Sequence, residues 1–181
     1  MKIGIYGGTF DPIHRGHITA AQAAAQQLGL DLLLLIPASI PPHKDLPAGS
    51  PTAEQRLEMT RMAGEHLGLG SKVETLDMEV RREGKSFTSD TLAELKTQFP
   101  EDELWLLMGT DMFLSFEGWR EPDEIARMAQ IVCMHRREAG AALRRELTEE
   151  TQRLTALGAR VVIAENDALE LSSTTVRRML A

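Results

Sequence analysis

Residues 32–36 (LLLLI) and 104–108 (LWLLM) are apolar without interruption. Runs of that length are too short for typical helices and present no polar face, so they read as strands covered on both sides, the mark of a parallel sheet sandwiched by helices. The intervening chain fits this reading. A first strand at 3–6 precedes an Ala/Gln-rich helix from about 17 to 28, which Gly29 can terminate, and the 32–36 strand then completes a βαβ unit. Residues 37–51 hold five prolines and one glycine and read as an irregular loop. Thr52 and Gln55 form a capping box that opens a helix reaching about residue 67. Further strands are expected near 73–76, at 104–108, 131–134 and 160–164, with helices at about 89–98, 122–128 and 138–157. The predicted fold class is α/β: a Rossmann-like, doubly wound parallel sheet with helices on both faces, in one domain spanning 1–181.

Composition narrows the functions open to such a fold. With 181 residues and 43% of them apolar, the chain can bury one substantial core. A formal charge of −7 has the wrong sign for coating a nucleic-acid backbone. The longest apolar runs fall far below the roughly 20 residues of a membrane span. A lone Cys133 and a start, MKIGIYGG, too short in apolar residues for a signal peptide point to a reduced, cytoplasmic protein. Neither nucleic acid nor membrane is expected as a partner.

In open parallel sheets ligands collect at the carboxyl ends of strands, and the polar motifs fall there. The first, I-Y-G-G-T-F-D-P-I-H-R-G-H at 5–17, places Gly7 and Gly8 in a turn before a helix N-terminus, a setting that suits a phosphate-sized anion. The spacing is not G-x-G-x-x-G, and Gly84-Lys85-Ser86 lacks the upstream glycine of a phosphate-binding loop, since Glu79 stands in its place. His14 and His17, three apart at the helix entrance, can face one ligand and donate hydrogen bonds to a phosphoryl group. Two such histidines could share a cation, or one could serve only as a helix cap, but no cysteine or evident carboxylate completes a metal set, and none is assigned. At the other end, Ser172 or Ser173 can cap a helix that carries Thr174 and, one turn on, Arg177. The plain alternative is an ordinary capped helix with a solvated arginine. Lys44 adds a cation on a stiff loop after Pro41-Pro42-His43, and Asp111 follows the 104–108 strand, where it could accept from ribose hydroxyls or simply form a turn.

Taken together, T-F-D-P-x-H-x-G-H at 9–17, Pro42-His43-Lys44, Gly109-Thr110-Asp111 and Ser172-Ser173-Thr174-x-x-Arg177 resemble the nucleotidyltransferase superfamily, and within it the bacterial nicotinate mononucleotide adenylyltransferases. The resemblance spans almost the whole chain. The related phosphopantetheine adenylyltransferases usually carry Thr where this chain has His14. The resemblance implies transfer of AMP from ATP to nicotinate mononucleotide, releasing pyrophosphate and forming deamido-NAD, with Mg2+ accompanying ATP. It implies that His14 and His17 contact the reacting phosphates while Lys44 and Arg177 neutralise charge. ATP would meet Gly7, Gly8, Thr9, Phe10, Gly109, Asp111, Arg136, Ser172, Ser173 and Thr174 as well; nicotinate mononucleotide would meet Thr9, Lys44, Thr88 and Trp119. Phe87 stands where the family commonly has tyrosine, and the chain stops at Ala181, earlier than is usual there. Transfer to another phosphorylated acceptor, and a nucleotide sensor without chemistry, are the competing readings; a sensor would most simply show a broken first motif, and here both histidines stand.

Overall fold

A computed structural model describes residues 1–67, 72–168 and 170–181. Six strands form one parallel sheet in the order β3-β2-β1-β4-β5-β6: β1 Lys2–Gly8, β2 Leu32–Pro37, β3 Lys72–Thr75, β4 Glu103–Gly109, β5 Ala129–Arg136 and β6 Val161–Asn166. The expected doubly wound sheet is therefore present. Because side chains alternate across a strand, Ile3, Ile5, Leu104, Leu106, Ile131 and Cys133 enter one core, while Leu33, Leu35, Leu107, Val132 and Met134 enter the other. Helices α1 (Arg15–Leu28) and α2 (Ala53–Glu65) cover the second face. The first is covered by α4 (Thr88–Gln98), α5 (Thr110–Leu114), α6 (Pro122–Met128) and α7 (Ala141–Ala156). Short α3 (Met78–Arg81) leads toward α4, and α8 (Ser173–Leu180) follows β6. Among the described residues no helix is long and apolar enough to cross a membrane.

The strand order reverses between β1 and β4, and a crevice at the carboxyl ends of those strands is the ligand position such a sheet offers. Small residues let α1 approach closely there: Ala21, Ala24 and Ala25 are buried at helical spacing, and Gly29 closes the helix at φ 62°. Both anticipated capping residues of α2 engage, Thr52 accepting from the Gln55 amide while Gln55 accepts from the Thr52 amide.

Two expectations need correction. Gly7 and Gly8 lie inside β1, paired with Ile36 and Pro37, not in a turn. The reversal comes at Phe10, which takes the left-handed conformation at φ 48° and packs its ring so closely that a Cβ on Gly8 would stand 3.0 Å from it. Gly8 is thus needed for space, and Phe10 supplies the turn. Helix α1 starts at Arg15, two residues earlier than its apolar pattern suggests, because His14 caps it. Directly after β4, where the sequence predicts no helix, α5 and a 3-10 turn at Phe116–Gly118 bury Phe113 and Phe116.

Candidate active site

His14 is the N-cap of α1, and its Nδ1 accepts from the His17 amide at 3.4 Å. His17 Nδ1 accepts in return from the His14 amide at 3.1 Å, so two imidazoles complete a capping box normally built from a hydroxyl and a carboxamide. The cap role considered for one histidine is performed by both. It does not consume them. A ring nitrogen that accepts from a backbone N–H carries no proton, so each neutral ring keeps its proton on Nε2, as a donor directed away from the cap.

The rings stack with centroids 3.7 Å apart, and His17 also meets Phe10 edge-on at 5.3 Å, with Tyr6 beyond. Burial holds the His17 pKa down to about 3, helped by the neighbouring His14 and the Lys44 charge; burial lowers that of His14 too. At neutral pH the pair therefore offers two uncharged N–H donors. Lys44, exposed on the loop after β2, is close enough for its charge to be felt at His17, which unites two of the predicted catalytic positions.

Two buried charges organise the loops around this pair. Arg56, fully buried in α2, donates to the carbonyls of Thr9 at 2.7 Å, Ala38 at 2.6 Å and Ser39 at 2.9 Å, binding the turn after β1 to the loop after β2. Asp11 is buried behind the turn, accepting from Ser50 at 2.8 Å and from Arg177 at 3.2 Å. Sequence reasoning missed both. Asp11 stands inside the quoted T-F-D-P run, which was a usable signal; Arg56 is one more arginine on an amphipathic helix, and only packing distinguishes it.

The C-terminal motif divides. Ser173 donates to the Pro12 carbonyl at 2.9 Å, Arg177 reaches Asp11, and Thr174 accepts from Arg177 at 3.1 Å, so these three join the β1–α1 turn. Ser172 instead caps α8, accepting from the Thr175 amide at 3.1 Å, as in an ordinary helix. Gly109 and Asp111 begin α5 at the end of β4, beside β1. Arg136 ends β5 one strand further out, its guanidinium 3.5 Å from Glu170.

Of the predicted acceptor residues, Thr9 and Lys44 lie with the histidine pair, while Thr88 and Trp119 lie near the start of α4. Thr88 is the first residue of α4, whose N-cap, Phe87, provides no side-chain cap bond, so the helix presents unsatisfied amides. Arg120 links this end to its neighbour, lying 4.6 Å over the Phe87 ring and 3.2 Å from Asp90. Next to it Trp119 is met by His43, at 5.2 Å between centroids. Beneath, buried Glu79 accepts from Thr91 at 2.7 Å, and burial pushes its pKa up to about 7. Lys85 lies in bridge pairing with Ile40 and its charge is felt at His43, so the Gly84-Lys85-Ser86 segment supports the loop after β2.

Comparison with known proteins places the chain in a family. A family model described as cytidylyltransferase-like matches residues 5–179. A probable nicotinate-nucleotide adenylyltransferase from Idiomarina loihiensis is 37% identical over 191 residues, covering 99% of this chain and 88% of the relative. One from Exiguobacterium sibiricum is 36% identical over 181 residues, covering 100% and 87%. The fold is shared with the Plasmodium falciparum nicotinic acid mononucleotide adenylyltransferase complexed with NaAD, at TM-score 0.76 and 17% identity, covering 99% of this chain and 84% of that one. With its two histidines, its parallel sheet and this match along nearly its entire length, the chain belongs to the cytidylyltransferase-like family, in the branch of the nicotinate-nucleotide adenylyltransferases.

Proposed function

We propose that the protein transfers the AMP moiety of ATP to nicotinate mononucleotide, giving deamido-NAD and pyrophosphate, a step of NAD biosynthesis carried out in the cytoplasm. The observation that carries the reading is the reciprocal histidine cap, which leaves two neutral Nε2–H donors at a helix N-terminus beside Lys44. The acceptor phosphate attacks the α-phosphate in line, its oxygen forming the new P–O bond as the bond to pyrophosphate breaks. No side-chain nucleophile is required. Such transfers depend on positioning and on stabilising charge at the equatorial and leaving oxygens. His14 and His17 donate to those oxygens, Lys44 and Arg177 offset their charge, and Ser173 and Thr174 hold the chain of phosphates, with Ser172 fixing the start of their helix. Gly7, Gly8, Thr9 and Phe10 line the crevice, Gly109 and Asp111 flank the ribose, and Arg136 stands nearest the base.

The described residues form no group of three or more His, Cys, Asp or Glu able to hold a metal ion. That donor set fits Mg2+ arriving on the phosphates of ATP, since this ion keeps waters and is commonly held by substrate phosphates; bound there, it would neutralise phosphate charge. At the acceptor end, the free amides of α4 and the Thr88 hydroxyl favour a carboxylate, and Trp119 provides a ring for the pyridine to stack upon. Nicotinate mononucleotide is therefore expected to outperform nicotinamide mononucleotide by at least about tenfold in kcat/KM, roughly 1.4 kcal/mol. Pyrophosphate release measured with both mononucleotides and with phosphopantetheine tests this. Equal kcat/KM for the two mononucleotides would remove the carboxylate site, and preference for phosphopantetheine would overturn the acceptor assignment.

A further inference from the structure

Helix α8 carries the whole of the C-terminal motif, yet none of its residues is buried. Apolar packing does not hold it in place. Its tertiary hydrogen bonds, among the described residues, run from Ser173 to the Pro12 carbonyl at 2.9 Å and from Arg177 Nη1 to the carbonyl and the Oδ2 of Asp11, the latter at 3.2 Å. Asp11 is only 2% exposed, and its Oδ2 also accepts from Ser50 on the proline-rich loop at 2.8 Å, while Oδ1 has no partner among the described residues. A carboxylate so enclosed is costly unless a cation compensates it. Arg177 hydrogen-bonds it from 166 residues away in sequence, and the buried Arg56 guanidinium also lies close enough for its charge to act on it.

We propose that Asp11 is a positioning residue for ATP: its buried carboxylate latches α8 onto the β1–α1 turn, so that Ser173, Thr174 and Arg177 reach the phosphates as one unit beside His14 and His17. The inference rests on the reading of Arg177 as a phosphate contact. The ion pair between the first motif and the last then acts together with the Ser173–Pro12 bond to hold the C-terminal part of the ATP site. The acceptor contacts at α4 and Trp119 lie outside the latch.

Asp11→Asn removes the charge and nearly keeps the shape. Equilibrium ATP binding and hydrogen exchange of the α8 amides, compared with Arg177→Ala and the double variant, read the outcome. Expected for Asp11→Asn are faster α8 exchange, ATP affinity at least about tenfold weaker, and acceptor affinity within about threefold. The double variant should bind ATP within about threefold of Arg177→Ala alone, because both changes break one contact. Additive losses, or α8 exchange unchanged in Asp11→Asn, would overturn the latch, as would a lowered melting temperature with ATP affinity intact. Ser50→Ala, which removes the other bond to the same oxygen, should leave α8 exchange as it is. Should Asp11→Asn fold poorly, Arg177→Ala breaks the same ion pair from the helix side and must speed α8 exchange. Unchanged ATP affinity in Arg177→Ala would instead defeat the phosphate reading, while the exchange data still decide whether Asp11 holds the helix.

Discussion

The starts of α1 and α8 meet at one turn and belong to similar motifs, yet they are built in opposite ways. Helix α1 buries Ala21, Ala24 and Ala25, and its two histidines cap each other and stack together, with His17 edge-on to Phe10. Helix α8 has no fully buried residue and leans on Asp11 and Pro12. A donor that must act on a short-lived charge distribution gains from being fixed beforehand, since no reorganisation is left for the moment of reaction. A group that grips ATP from outside must also let the substrate enter. On the proposed function, the contrast would give turnover to the embedded helix and capture to the exposed one.

The largest expected effect falls on the embedded side. His17→Ala should slow turnover by two or more orders of magnitude while ATP binding weakens little, because the donor matters most as phosphoryl charge develops. His17→Gln sharpens the comparison, since a glutamine there preserves the capping box and separates lost chemistry from a lost cap worth about 1 kcal/mol. Single-turnover rates alongside ATP affinity distinguish the cases. Losses of equal size in binding and turnover would place His17 with the capture residues and erase the division.

A moderate effect concerns pH. His17 has a folded pKa near 3, below its unfolded value near 6.5, so the unfolded chain binds more protons between those limits. Its contribution to stability is complete above pH 6.5 and disappears as pH falls toward 3. Melting temperatures measured from pH 7 to pH 4 should drop more steeply for the native protein than for His17→Gln. Parallel curves would show that the His17 ring is not held neutral by its surroundings.

The smallest effect is expected at Lys85. Its segment pairs with Ile40, its charge is felt at His43, and it lacks the upstream glycine of a phosphate-binding loop, so Lys85→Ala should leave ATP affinity within about threefold. A large loss, with the fold intact, would add a third phosphate contact to the two compared here.

Strand positions were legible because the runs at 32–36 and 104–108 have no polar face to expose, and the helix caps at Thr52 and Gly29 were legible because they rest on neighbouring residues. The histidine pair was visible for the same reason. Sequence did not reveal that Gly7 and Gly8 continue a strand, because strand length depends on the partner, here Ile36 and Pro37. Nor could it anticipate α5, whose Phe113 is folded inward by the core it meets.

What this sequence determines by itself is local or periodic: the α/β rhythm, the caps, and a set of donors and cations suited to phosphate. Tertiary structure alone decides which of those groups become a site. Arg56 becomes a clamp because three carbonyls from two loops converge on it, and Asp11 becomes a junction because a residue 166 positions away supplies its countercharge. Burial strengthens such long-range pairings by removing competing water, and the order of strands in the sheet, which no local pattern encodes, chooses the partners.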